Sequence, residues 1–316
     1  MPAWRGQHIS IETTELKRVI RLLISACLLA WPVHGKQPVQ APARKTCGSG
    51  IVLKLSSATA SQGSLLLAEI SGAKTSQEFT AEWDGRPIPV WRETPSSARL
   101  HALLGVDLEK PPGRYEWKIS WSAADGKPLA CSFPVTVRAG IFPTERLTVE
   151  EQFVHPDPEQ QKRVEEDQKK MKAIYDTVTP EVLWKGKFVL PLKGVSTGRN
   201  FGRRRVLNGE ARSPHTGVDF AATAGTPVFA AQSGKVALAE NLYYSGNTVV
   251  IDHGYGIYTL YAHLSEIEVH AGDAVQTSAE IGKVGSTGRV TGPHLHWGLT
   301  IDHARVNALE LVQRLP

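Results

Sequence analysis

The chain has 316 residues, of which 41% are hydrophobic and 21% charged, with a formal net charge of +5 and a pI near 9.0. At roughly 100–200 residues per domain this length predicts two domains, and the composition is that of a globular protein, which excludes long-range disorder. The mild basic excess suits an anionic polymer or membrane surface. Without a long Lys/Arg run, a recognition-helix motif or an aromatic RNA-binding signature, it gives no ground for nucleic acid as a partner.

Residues 1–36 read as a targeting segment. Lys17, Arg18 and Arg21 precede an apolar run from Leu22 to Leu29 that continues through Ala30, Trp31 and Val33, and a polar, Pro-containing exit follows. This is the order of a secretory signal, cleaved or kept as an N-terminal anchor, and the run is short for a membrane span. Ile24-Ser25-Ala26-Cys27 loosely matches a lipidation box, but the apolar run passes beyond Cys27. The other two cysteines, Cys47 and Cys131, both lie in the N-terminal half, and a pair in an exported protein is expected to form a disulfide. Export to a periplasm or cell envelope follows as the expected location.

After a Pro/Ala-rich linker, residues 45–140 alternate. Ile51, Leu53 and Leu55, then Leu65 and Leu67, then Tyr115, Trp117, Ile119 and Trp121, then Phe133, Val135 and Val137 each place apolar side chains on one face of a strand. Asp84-Gly85 and Asp125-Gly126 supply hairpin turns, and Pro111-Pro112-Gly113 breaks the chain before the aromatic strand. Several short strands over this length predict a β-sandwich of immunoglobulin-like type, read as a spacer or wall-binding module. Residues 141–186 form a linker with a helix over 157–178. Asp157 caps it, Pro158 opens it, Gln160 completes a capping box, and Val164, Met171, Ile174, Tyr175 and Val178 give one thin apolar stripe.

From residue 187 to 316 glycine becomes frequent and strands are short. Candidate strands are 227–231, 235–240, 248–252, 257–263, 280–284 and 295–300, with helical periodicity returning at 306–315. The reading is a compact, mainly antiparallel β domain. Seven of the eleven histidines lie from residue 215 onward. Three patterns stand out: His215-Thr216-Gly217-Val218-Asp219, Tyr261-Ala262-His263-Leu264-Ser265, and Gly292-Pro293-His294-Leu295-His296-Trp297. On a strand, H-x-H puts His294 and His296 on one face, and the even spacing of His215 and Asp219 does the same on an extended segment. Two histidines and one carboxylate make a sufficient zinc set with a position left for water. Either motif alone is weak; together in one Gly-rich β domain they point to a metal centre.

The segment from near Phe188 to the end resembles the M23 zinc metallopeptidases of LytM or lysostaphin type. The resemblance rests on Asn200-Phe201-Gly202-Arg203-Arg204, His215 through Phe220, Gly225-Thr226-Pro227-Val228, Gly246 through Gly254, Tyr258 through Leu264, Gly285-Ser286-Thr287-Gly288 and Gly292 through His296. It implies a mainly β metallopeptidase domain that hydrolyses peptide cross-links of bacterial peptidoglycan. It implies one Zn2+ per chain held by His215, Asp219 and His296, with His263 and His294 as catalytic residues sharing water activation and oxyanion support in either order. The other function it leaves open is a non-catalytic activator of cell-wall amidases; such domains typically lack ligands that are all present here.

The implied partners are peptidoglycan peptide stems. A monomer is expected, touching membrane only through an uncleaved N-terminal segment. A tyrosine that some members carry before the first ligand has no counterpart at Gly209, Glu210, Ala211 and Arg212. His253 is expected in a structural turn, and His270 and His303 in solvent. Arg203, Arg204 and Arg205 are either solvated or turned toward an acidic peptide stem. The partly acidic segment from Val149 to Asn200 either merely spaces the sandwich from the enzyme or offers Glu150, Glu151, Asp157, Glu159 and Asn200 as groups that could reach the metal and hold the enzyme latent.

Overall fold

The computed structural model describes residues 42–315. The targeting signal and Cys27 lie outside the described residues. Among the described residues no helix is long and apolar enough to cross a membrane.

Nine strands come first: β1 (Ala43–Thr46), β2 (Val52–Leu55), β3 (Thr59–Ser61), β4 (Leu65–Ser71), β5 (Phe79–Trp83), β6 (Arg86–Ile88), β7 (Leu100–Gly105), β8 (Gly113–Ser122) and β9 (Pro128–Arg138). They form two sheets, ordered β1-β2-β4-β7 and β3-β9-β8-β5-β6. The alternation in the sequence is the reason. Leu53, Leu55, Ala68 and Ile70 from the first sheet and Trp117, Ile119, Phe133 and Val135 from the second are buried in one core, with polar neighbours turned outward. Asp84 and Gly85 both take positive φ, 53° and 71°, the twist that a two-residue hairpin between β5 and β6 requires. Cys47 and Cys131 are joined by a disulfide that links the β1–β2 connection to β9 in the other sheet.

The connecting segment contributes β10 (Thr144–Leu147) and α1 (Pro158–Tyr175). The capping box of α1 is present as the sequence predicts, with Asp157 accepting from the Gln160 N–H and the Gln160 side chain accepting from the Asp157 N–H. The helix ends at Tyr175, before the expected Val178, which is exposed. Met171, Ile174 and Tyr175 pack on Leu238, Leu242, Val250 and Tyr258.

The C-terminal part contains β11 (Arg204–Leu207), β12 (Glu210–Arg212), β13 (Gly217–Ala221), β14 (Pro227–Phe229), β15 (Gly234–Leu242), β16 (Gly246–Asp252), β17 (Ile257–Ile267), β18 (Ala274–Val275), β19 (Glu280–Val284), β20 (His294–Ile301), β21 (Ala304–Val306) and α2 (Leu309–Arg314). Nine of these strands form one antiparallel sheet, with the path β13-β20-β17-β16-β15-β18. All six candidate strands appear, most of them longer than expected. Val306 belongs to strand β21 rather than to the final helix, because Ala304–Val306 pairs back on β20. A separate three-stranded sheet, β10-β11-β12, joins the connecting segment to the C-terminal part, and β10 runs parallel to β11.

The described residues form one compact unit. Leu65, Trp91 and Leu103 of the first part are buried in the same cluster as Phe188, Tyr261, Trp297 and Leu311. The Asp107 carboxylate accepts from the backbone N–H, Nε and Nη2 of Arg305 at 2.6–2.9 Å.

The disulfide closes a loop with a sequence separation of 84. A Cys47→Ser/Cys131→Ser double variant is expected to lose roughly 2–5 kcal/mol of stability, read as a lower urea midpoint. An unchanged midpoint would remove the bridge as a stabilising element.

Candidate metal centre and catalytic cleft

The site is built around the pairing of β13 with β20. Asp219 stands directly opposite His296, and Ala221 opposite His294. With period-two alternation, Asp219, His294 and His296 therefore share one face, and Leu295 is fully buried on the other. His215 lies just before β13 and reaches the same point from the loop. The approach is close: a Cβ at Gly217 would stand 2.6 Å from His296 Nε2 and from the Trp297 carbonyl oxygen. Only glycine lets these strands meet here.

Three donor atoms converge. His215 Nε2 lies 2.8 Å from His296 Nδ1, and both lie 3.0 Å from Asp219 Oδ1. His215 Nδ1 is 3.0 Å from the Asn200 carbonyl oxygen. A carbonyl only accepts, so the His215 proton sits on Nδ1, and Nε2 presents a lone pair to the cluster. Asp219 Oδ1 is anionic. One proton at most, that of His296, is shared by three atoms in mutual contact. Such crowding of lone pairs fits a divalent cation, and His215, Asp219 and His296 form a group able to hold a metal, their ligand atoms within 4.8 Å of one another. Asn200 also donates from Nδ2 to Asp219 Oδ2 at 2.7 Å and accepts from the Asp219 N–H through Oδ1, an outer support of the kind that orients metal ligands.

The other two histidines stand alongside. The His263 ring is 4.8 Å from that of His294 and 5.9 Å from that of His296. His263 Nδ1 donates to the Thr287 carbonyl at 2.9 Å and His294 Nδ1 to the Gly292 carbonyl at 2.8 Å, so both turn Nε2 to the cleft. His263 has φ 65° and sits where the β16–β17 register shifts. The bulge re-aims its side chain out of the strand alternation, a strained conformation of the kind that gathers at functional sites.

Charge balance follows from burial. Burial works to raise the Asp219 carboxyl, but the His215 and His296 imidazoles set against it outweigh that and hold the group well below the usual carboxylate range. Burial pushes His263 down to about 3, helped by repulsion from His296 and His294. Burial likewise takes His296 to about 4, against the pull of Asp219.

These groups open into a cavity of about 460 Å³ lined by Asp219, His263 and His294 together with Glu145, Leu147, Val149, Asn200, Arg205 and Arg289. The three tandem arginines separate here. Arg203 pairs with Glu145 at 2.7 Å, Arg204 is exposed, and Arg205 lines the cavity. Arg205 and Arg289 are the cleft residues that the sequence reading did not single out as a pair. No tyrosine lines the cavity among the described residues.

The upstream chain reaches the site through Asn200 and β10. Asn200 supports Asp219, Glu150 accepts from Gln152, Glu151 accepts from Asn208, and Asp157 caps α1. None of Glu150, Glu151, Asp157 and Glu159 lines the cavity; β10 walls it instead. Of the remaining histidines, His270 is exposed, and His303 is half exposed beside Asp176. His253 is completely buried, with Nδ1 2.8 Å from the Ser233 carbonyl and Nε2 2.7 Å from Thr259 Oγ1.

Comparison with known proteins matches residues 213–308 to the model of Peptidase family M23. The chain is 46% identical over 112 residues to the peptidoglycan DD-endopeptidase ShyA of Vibrio cholerae, covering 35% of this chain and 26% of that protein. It is 44% identical over 102 residues to the DD-carboxypeptidase/endopeptidase Mpg of Neisseria meningitidis, covering 32% and 24%. The match thus spans about a quarter of the length of these curated relatives. Among solved structures, a candidate peptidase M23 from Pseudomonas aeruginosa superimposes with TM-score 0.60 at 29% identity, covering 79% of this chain and 94% of that one.

His253 generates a pH prediction. Burial pushes its folded pKa down from 6.5 to about 4. As pH falls, the unfolded chain takes up this proton first, so the stability is full above about 6.5 and is lost progressively toward pH 4. The contribution is roughly 3 kcal/mol. Urea unfolding of the metal-free chain across this window should show a flatter pH dependence for His253→Gln than for the parent; equal slopes would refute the assignment.

Proposed function

We propose that the chain, whose residues 213–308 match Peptidase family M23, is a zinc endopeptidase that hydrolyses peptide cross-links of bacterial peptidoglycan, with His215, Asp219 and His296 as metal ligands and His263 and His294 as catalytic residues. The observation that carries this reading is the convergence of three metal-competent donor atoms, one of which, on Asp219, opens into a cavity that two further histidines, His263 and His294, also line. Relatives named for peptidoglycan DD-endopeptidase activity support the substrate class. When bound, zinc supplies Lewis acidity, polarising a carbonyl and lowering the pKa of water toward ~7.

The chain's own groups do the rest. His294 is the more exposed of the pair and stands 3.8 Å from Asp219 Oδ1. It takes the proton from the attacking water at Nε2 and returns it to the leaving amine. His263, buried and held neutral, accepts a hydrogen bond at Nε2 and orients the water. The Thr287 and Gly292 carbonyls lock both rings in the tautomer that these roles need. Asn200 fixes the carboxylate plane of Asp219.

Residues 45–140 belong to this proposal as an immunoglobulin-like spacer or wall-binding domain, 141–186 as the linker, and 187–316 as the catalytic domain. Residues 1–36 serve as a secretory signal or anchor that sends a monomer to the periplasm or cell envelope. The Cys47–Cys131 disulfide is consistent with such a compartment.

Metal analysis of the purified chain should give about one zinc per chain, as for a single three-ligand site, and a His215→Ala/Asp219→Ala variant should lose it. Equal metal content in both proteins would rule the ligand set out.

Digestion of purified cell wall, followed by mass analysis of the fragments, should release peptide-cleaved products that a chelator abolishes. His263→Ala and His294→Ala should keep the metal and lose roughly 10²- to 10⁴-fold in turnover. Near-parental turnover in either variant would take that residue out of the catalytic set.

A further inference from the structure

The cleft holds two positive charges that the proposed chemistry does not use. Arg205 on β11 is half-buried, and its Nε is buried without a hydrogen-bond partner. Glu145 stands beside it in register on β10, but that carboxylate is taken by Arg203 at 2.7 Å. Across the other edge of β11, Arg205 faces another cation, Arg212, which is itself occupied by Glu210 and the Val154 carbonyl. Arg289 comes from the loop that follows Gly285–Gly288. Its guanidinium lies 4.4 Å over the Tyr244 ring. Stacking on the ring face holds the fork in place while leaving its edge N–H groups available.

Among the described residues, neither Arg205 nor Arg289 makes a side-chain hydrogen bond or ion pair with another residue. Both line the cavity that contains Asp219, His263 and His294. Like charges brought together out of water are costly unless an anion meets them. A planar guanidinium matches a carboxylate with two parallel hydrogen bonds, which are about twice as strong as neutral ones. Among the described residues the carboxylates in the cavity lining are Glu145 and Asp219; both attract Arg205 from a distance, but Glu145 is hydrogen-bonded to Arg203 and Asp219 is engaged by His215 and His296. Among the described residues no further carboxylate is left in the cavity to meet these two guanidinium groups.

We infer that Arg205 and Arg289 form a carboxylate-binding subsite that grips a free carboxylate of the peptide lying in the cleft and so sets which stem peptides are cut. The inference rests on the peptidase reading for the identity of the peptide, but not for the existence of the subsite. The shared chemistry is a carboxylate. Its source is either a side-chain carboxylate of the stem or the C-terminal carboxylate of the strand being cut.

The test uses three synthetic cross-linked stem peptides: one with all carboxylates free, one with the side-chain carboxylates amidated, and one with the C-terminal carboxylates amidated. Binding is measured by calorimetry to the full chain in a His294→Ala background, so that peptide is bound without being consumed. One of the two amidations should weaken binding by about 10- to 100-fold, as expected for a charge-assisted pair, and the sensitive peptide names the source. Arg205→Gln and Arg289→Gln should each shrink that discrimination, and Arg289→Lys, which keeps the charge but not the fork, should restore part of it. Arg289 lies in a loop, so its variants carry the test if Arg205→Gln disturbs the β10-β11-β12 sheet. Equal binding of all three peptides, or discrimination that survives both Gln variants, would overturn the subsite. Carboxylate-dependent binding by a chain whose His294-intact parent cuts no wall would leave the subsite standing and overturn the peptidase reading instead.

Discussion

The cleft depends on one strand pairing, that of Gly217–Ala221 with His294–Ile301. It sets Asp219 opposite His296 and lets the loop before it deliver His215 to the same point. Because side chains alternate along a strand, a slip of one residue would turn His294 and His296 into the layer where Leu295 and Trp297 are buried. The register is held by what lies behind it. Val218, Phe220, Leu295 and Trp297 are all completely buried in the main core, so the same alternation that faces ligands to the cleft faces large apolar groups away from it. Fixing the site and packing the core are here one constraint.

The second consequence is electrostatic. The metal-competent cluster has a single carboxylate, and burial and mutual repulsion keep His263 and His296 neutral. Positive charge in the cleft then resides in Arg205 and Arg289, and burial pulls both below the ordinary guanidinium range without discharging them. The cleft is thus cationic at Arg205 and Arg289 and neutral at His263 and His296. That division keeps the positive charge and the imidazole lone pairs on separate residues, so an anion and a proton would not compete for the same groups.

Local patterns carried much of this into the sequence. Tyr115, Trp117, Ile119 and Trp121 announce a strand because one face must be apolar. Asp157-Pro158 and Gln160 announce a helix start because its first N–H groups need partners. His294 and His296 announce a shared face. What escaped depends on contacts between distant segments. β10 pairs with β11 across about sixty residues, and nothing in Thr144–Leu147 alone signals a partner. The division of labour among Arg203, Arg204 and Arg205 follows from that pairing, since it brings Glu145 to Arg203 and turns Arg205 to the cavity. His263 reaches the site through a bulge and a φ of 65°, which strand periodicity cannot express. The apolar spacing at Val306 suits the terminal helix as well as a strand, and pairing with β20 decides for strand.

The β10-β11-β12 sheet also explains how residues outside the matched family segment enter the site. Residues 213–308 supply the five clustered histidine and aspartate side chains apart from their support by Asn200. The opposite wall, with Glu145, Leu147, Val149 and Arg205, comes from chain that precedes that segment. A wall built by strand pairing is held by backbone hydrogen bonds along its whole length, so it presents Arg205 at a fixed height over the cleft in a way that a single tethered side chain would not. The ligand-bearing face is dictated by the chemistry of its metal-competent group. The facing wall is free of that demand, so Arg205 stands there without disturbing the donors that His215, Asp219 and His296 bring together.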